Sequence, residues 1–250
     1  MTIQILERTP LTRLKRILGT EDIPEMSLPT ELFLIAHDDA TGRRHIGEHI
    51  LQRGLAAATL KELWLTRRIR IGWLDNVREA ILTRDPGRIT VLDDTPIGDR
   101  ITDTALDLLS RAGGTLRLHD FITQFAETGL YQRMEADLIA AGILHRVTYK
   151  RFWFFRKHRV VPTKDAYPVR ARGRIRTMIN QYRAGIAKHD PRALALSGLV
   201  ATLGLTRHLY QDKAETPTSA LNHWLHNLIA SLTDPTIRDI TTTIRQPRQV

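Results

Sequence analysis

Gly54-Leu-Ala-Ala-Ala-Thr-Leu-Lys-Glu-Leu-Trp-Leu-Thr-Arg-Arg68 decides the fold. Leu55, Thr59, Leu63 and Thr66 recur along one helical face, and Ala56–Ala58, Leu60 and Trp64 fill most of the rest. A helix that is apolar nearly all round belongs inside a protein, with other elements packed about it. It runs into Arg68-Ile-Arg-Ile-Gly72, whose alternation predicts a strand, and Arg88-Ile-Thr-Val-Leu92 is the expected partner.

Further helices are expected on either side. Ser27–Ala36 is almost wholly apolar, with Ser27 placed to cap, Pro29 in the first turn and Glu31 facing the positive helix end. Asp38-Asp-Ala-Thr-Gly42 has the composition of a tight, solvated reversal. Beyond the Pro/Gly linker Asp94–Asp99, helical spacing continues in Ile101–Leu109, Leu118–Ala126 and Leu130–Ala141, the last closed by Gly142. Ile143–Thr148 and Arg151–Val161 read as the arms of a β-hairpin that turns near Tyr149-Lys150-Arg151. Val169–Ala187, Asp190–Leu205, Pro217–Leu232 and Pro235–Ile244 read as helices. In residues 1–26, Leu11, Leu14, Ile17 and Leu18 suit an arm that docks its leucines on the body. The expected architecture is mainly α: an arm over 1–26, a single helical domain over 27–245 with a buried helix core and a projecting basic hairpin at about 143–161, and a tail over 246–250.

Charge is concentrated in one place. Arg146–Arg176 carries 11 Lys/Arg against Asp165 alone, a net +10, which is the whole formal excess of the chain. The remaining residues balance at 26 basic and 26 acidic. Inside that cationic run lies Phe152-Trp153-Phe154-Phe155. In a strand Phe152 and Phe154 would share one face, and Trp153 and Phe155 the other. Cysteine is absent, which excludes disulfides and thiolate chemistry. No run approaches the ~18 apolar residues of a membrane span. His37-Asp38, His119-Asp120 and His189-Asp190 have the form of adjacent metal ligands, but each falls at an element boundary, where Asp serves as a cap. His223 and His226 flank Trp224 without a third ligand type nearby. No phosphate-cradling glycine loop or nucleophile elbow occurs, so the chain is read as non-enzymatic, with no cofactor and no metal.

The order of these motifs resembles the Golgi phosphoprotein 3 family, including its bacterial members. Ser27-Leu-Pro-Thr-Glu-Leu-Phe-Leu-Ile-Ala-His-Asp-Asp-Ala-Thr-Gly-Arg43 carries it first, then the stretch from Gly54 to Ile69. Pro96-Ile-Gly-Asp99, Arg133 with Leu138-Ile-Ala-Ala-Gly-Ile-Leu144, and Asp190-Pro-Arg192 with Leu194, Leu196 and Leu199 follow in register. The resemblance implies a mostly helical domain around a buried helix, with a hairpin whose apolar residues enter a bilayer or a neighbouring subunit. It also implies peripheral membrane proteins that bind phosphatidylinositol 4-phosphate on Golgi membranes and link enzyme tails to coatomer. The family's phosphoinositide pocket uses a Trp and three Arg, and the corresponding residues here are Gly47, Ala56, Thr128 and Tyr131. None can make a bidentate clamp on a phosphate. The nearest cations are Arg53 and Arg133.

These readings converge on a cytoplasmic protein, peripheral on the inner face of an anionic membrane. Its lipid-binding residues are expected to be Arg53, Arg133, Arg146, Lys150, Arg151, Arg156, Lys157, Arg159, Arg172 and Arg174, with Arg170 and Arg176 in support. Phe152, Trp153, Phe154 and Phe155 would insert. Each Lys/Arg near an anionic leaflet contributes about 1 kcal/mol, and each buried ring about 1.5–3 kcal/mol. Three to five cations and one or two rings therefore suffice for reversible, salt-sensitive binding. Two other partners fit less well. A winged-helix reading for nucleic acid would put Leu130–Ala141 in a groove, where Glu135 and Asp137 would repel phosphate. A homo-oligomer could use the hairpin as its interface. The sequence names no client protein.

Overall fold

A computed structural model describes residues 25–72, 87–151, 155–184 and 190–209; for 149–151, 155–157 and 183 only the backbone course is used. The expected arm, the helices beyond residue 209, and His189, His223 and His226 lie outside the described residues. The described part is mainly α, with seven α-helices and two antiparallel hairpins. The helices are α1 (Leu28–Ile35), α2 (Glu48–Leu65), α3 (Arg100–Arg111), α4 (Leu118–Glu127), α5 (Leu130–Ala140), α6 (Ala166–Arg183) and α7 (Pro191–Thr202), followed by a 3₁₀ turn at Thr206–His208. β1 (Ile69–Ile71) pairs with β2 (Ile89–Val91), and β3 (Leu144–Arg151) pairs with β4 (Phe155–Pro162).

The apolar stretch Gly54–Arg68 is the hub. Helix α2 packs against α1, α3, α4, α5 and α7 and leads into β1. It begins at Glu48, six residues earlier than the apolar pattern suggests, because a polar first turn can extend a helix beyond its buried portion. From Gly54 to Leu63 every side chain is buried. Helix α1 is buried along its full length. Leu194, Leu196 and Leu199 of α7 complete this core with Phe33, Phe121 and Phe125. No described helix is long and apolar enough to cross a membrane.

Polar groups inside this core depart from the sequence expectation in two places. Ser27 occupies the N-cap of α1, but its hydroxyl bonds Asp99 Oδ2 at 2.9 Å and makes no cap bond. Glu62 replaces it from the last turn of α2, accepting from Leu28 N at 2.8 Å. Glu31 lies in the first turn of α1, as expected, but points inward: it is fully buried and accepts from Arg174 Nε at 3.0 Å. Burial pushes its carboxyl up to about 7, against the pull of Arg174 and Arg192.

The hairpin differs from expectation in its turn. Residues 149–151 are in the ladder: Tyr149 faces Lys157, Lys150 faces Arg156 and Arg151 faces Phe155. Val147, Thr148 and Tyr149 favour extended backbone, and no residue there supplies turn chemistry. Phe152, Trp153 and Phe154 connect the two strands and lie outside the described residues.

Candidate functional site

The root of the β3–β4 hairpin is seated on the reversal that follows α1. Asp38 shapes that reversal: its carboxylate accepts from Thr41 N at 2.8 Å and from the Thr41 hydroxyl at 2.7 Å, and its N–H bonds the Arg43 carbonyl. Gly42 then takes a left-handed φ of 61°, which glycine adopts without strain. It lies directly against the Val160 carbonyl, so close that a Cβ would collide with it. Leu144, Val160 and Val161 are buried at this root, while His145, Arg146, Thr148 and His158 are exposed further out. Arg159 donates to the Thr41 carbonyl at 3.4 Å.

A cleft of about 660 Å³ opens beside this junction. Arg43, Arg44, Arg159 and His158 face it from the reversal and β4, with Tyr131 and Glu135 on α5. Tyr131 is the outer ring of a buried stack: His37 lies 4.3 Å from Phe33 and 5.8 Å from Tyr131, with planes 25° and 28° apart. His37 Nδ1 donates to the Phe33 carbonyl at 2.7 Å, so its Nε2 accepts from the Tyr131 hydroxyl at 3.0 Å. Burial holds His37 down to about 4, against the bond to Phe33, and raises Tyr131 to about 12. Both are neutral and serve as packing. Arg44 lies 4.9 Å over the Tyr131 ring and pairs with Glu48, which also accepts from Gln132 at 2.8 Å.

The cations singled out from the sequence divide into three groups. Arg172 and Arg174 are not available to an outside partner. Arg172 is 6% exposed and bonds both oxygens of Asp39, which corrects the view of Asp38-Asp39 as a purely solvated turn. Arg174 reaches Glu31 at 3.0 Å and Asp190 at 3.3 Å. Arg53 and Arg133 are half-buried on α2 and α5, and Arg133 lies over the Phe125 ring and bonds the Thr128 hydroxyl. The hairpin cations form the third group. Arg146 is exposed, Arg159 is half-buried at the root, and Lys150, Arg151, Arg156 and Lys157 occupy paired positions near the strand ends. Residues 144–162 contain no Asp or Glu.

The cleft residues Arg43, Arg44, His158 and Glu135 were not legible as a group, since long-range contacts such as Gly42–Val160 and Arg159–Thr41 bring the reversal to the hairpin. The Asp190 cap was legible: it accepts from Arg192 N ahead of Pro191. Asp120, by contrast, lies inside the first turn of α4, and Arg117 occupies the cap position. Helix α5 spends its polar residues internally, with Gln132 on Glu48 and Asp137 on Arg100 at 2.8 Å. Among the described residues no three His, Asp or Glu side chains are grouped to hold a metal ion.

The family model for Golgi phosphoprotein 3 (GPP34) matches residues 28–240. No curated protein matches the chain.

Proposed function

The chain belongs to the Golgi phosphoprotein 3 family, and from that premise we propose that it attaches to anionic membrane surfaces through the basic β3–β4 hairpin. One observation carries this reading. The register sets Lys150 directly opposite Arg156, in a hairpin that offers neither of them a carboxylate. Like charges facing each other across strands cost stability, and an external anion relieves that cost. Arg146, Lys150, Arg151, Arg156, Lys157 and Arg159 supply the charge, and Phe152, Trp153, Phe154 and Phe155 supply rings next to it.

The attraction is to charge density more than to one headgroup. The family's four pocket positions hold Gly47, Ala56, Thr128 and Tyr131. Ala56 is fully buried and the Tyr131 hydroxyl is committed to His37. In the neighbouring cleft Arg44 is matched to Glu48. The internal bonds of Gln132, Arg133 and Asp137 favour lipid over a groove of nucleic acid, since α5 has few polar side chains left to read base edges.

Co-sedimentation with neutral vesicles, anionic vesicles and duplex DNA, at low and high salt, tests this. Wild type should pellet with anionic vesicles, and high salt should weaken it. Replacing Arg151, Arg156 and Lys157 together by Glu should lower vesicle binding at least tenfold. Phosphatidylinositol 4-phosphate should give no advantage over other lipids of equal charge. Unchanged pelleting of the triple variant, or tighter binding to DNA than to vesicles, would overturn the reading.

A further inference from the structure

On the far side of the reversal from Tyr131, two histidines from distant parts of the chain lie face to face. His45 follows Arg44 in the stem of the reversal, and His208 closes the 3₁₀ turn after α7. Their ring centroids are 3.5 Å apart and their planes differ by 8°. Arg207 Nε donates to His208 Nε2 at 2.9 Å, so that nitrogen carries a lone pair and no proton. This stack is a direct side-chain link between the segment that walls the cleft and the chain leaving α7.

We propose that the His45–His208 stack is an acid-released clasp: neutral, it ties the cleft-forming reversal to the end of α7; once His208 is protonated, it opens. Three features make it respond to protons. Two imidazolium rings cannot remain stacked at van der Waals distance without strong repulsion. A proton on His208 Nε2 would point at the Arg207 guanidinium and turn its hydrogen bond into a clash of donors. Among the described residues, the carboxylates near the new cation already hold other partners. Facing the pair are the His37 carbonyl, Asp38 and Asp39 from the reversal, Arg172 from α6 and Arg207 from the 3₁₀ turn itself. Asp39 is held by Arg172, and Asp38 is bonded to Thr41. Burial lowers both histidines, His208 to about 4; Arg207 adds to the effect on each and His45 to that on His208, while Asp38 opposes it.

The sign follows from linkage. A histidine whose value is depressed in the closed form binds protons better once released, so the closed form loses ground as pH falls below the ordinary ~6.5. The clasp is closed at pH 7.5 and weakened at pH 5.5. Because Gly42, Arg43 and Arg44 belong to the same reversal, release also loosens one wall of the cleft. None of this depends on the ligand that the cleft or the hairpin meets.

Amide hydrogen exchange on the full chain, corrected for intrinsic rates at pH 7.5 and 5.5, tests the clasp. Protection at residues 44–46 and 206–209 should fall at least fivefold at the lower pH. In His208→Phe, which keeps a stacked ring without a titrating nitrogen, the change should stay within twofold. An equal change in both proteins, or none in wild type, would overturn the proposal. Carbon-detected imidazole titration gives a second readout that does not need the variant to match wild-type stability. In wild type His45 and His208 should titrate below the ordinary histidine value, and opening should track their protonation. Two rings that titrate near 6.5 with no change in exchange would equally refute it.

Discussion

The arginines of the helical body and the arginines of the hairpin are the same side chain put to opposite uses. In the body, Arg172, Arg174 and Arg192 are turned inward, each against a carboxylate far away in sequence. In the hairpin, Arg146 stands exposed, and the register pairs position 150, a lysine, with position 156, an arginine, in an element without an acid. The body uses positive charge to close helix ends and pin elements together. The hairpin accumulates it with no carboxylate of its own. Burial separates the two outcomes: a charge removed from water must be matched within the chain, whereas a solvated one can wait for an outside partner.

The comparison is broken most severely in the body. Glu62 is 4% exposed, receives both Nη atoms of Arg192 at 2.7 and 2.9 Å, and caps Leu28 N. Glu62→Ala leaves a half-buried guanidinium without its main partner and opens the first turn of α1. A loss of about 3–5 kcal/mol is expected in urea unfolding, the range for breaking a buried pair. A loss below about 1 kcal/mol would mean that this network does not hold α1 on α2.

How much of this difference was legible in the sequence depends on range. Helix α2 could be read because its burial is written into consecutive residues, and the Asp190-Pro191 start of α7 because a cap is local. The β1–β2 pair was legible from alternation, and its register joins Ile69 to Val91 and Ile71 to Ile89. The fate of Arg172 and Arg174 was not. Their partners Asp39 and Glu31 lie more than 130 residues away, and nothing in α6 marks those two as inward-facing. The hairpin turn was misplaced because strand-forming aromatic residues carry no turn signal, and the cleft was missed because it forms only where two separate segments touch.

Gly42 joins the two regions, so its substitution sharpens the contrast. Gly42→Ala meets two costs: about 1–2 kcal/mol for an L-residue in the left-handed region, and about 1–3 kcal/mol for forcing a methyl against the Val160 carbonyl. We expect a net loss of about 2–5 kcal/mol in chemical unfolding. Amide exchange in β4 should rise more than exchange in α2, because the clash lies at the hairpin root. Uniform loosening of both would show that root and core are one cooperative unit.

The smallest effect is the most discriminating. Arg156→Glu puts a carboxylate opposite Lys150, so a repelling cross-strand pair becomes an attracting one. Such pairs are worth about 0.2–1 kcal/mol. Stability in urea should therefore hold or rise slightly. Binding to anionic vesicles should fall all the same, since the hairpin's charge drops by two at one of its most cationic points. A variant that is at least as stable yet binds more weakly separates the two uses of arginine in a single substitution. Lower stability with full vesicle binding would place the hairpin's charge in the service of the fold.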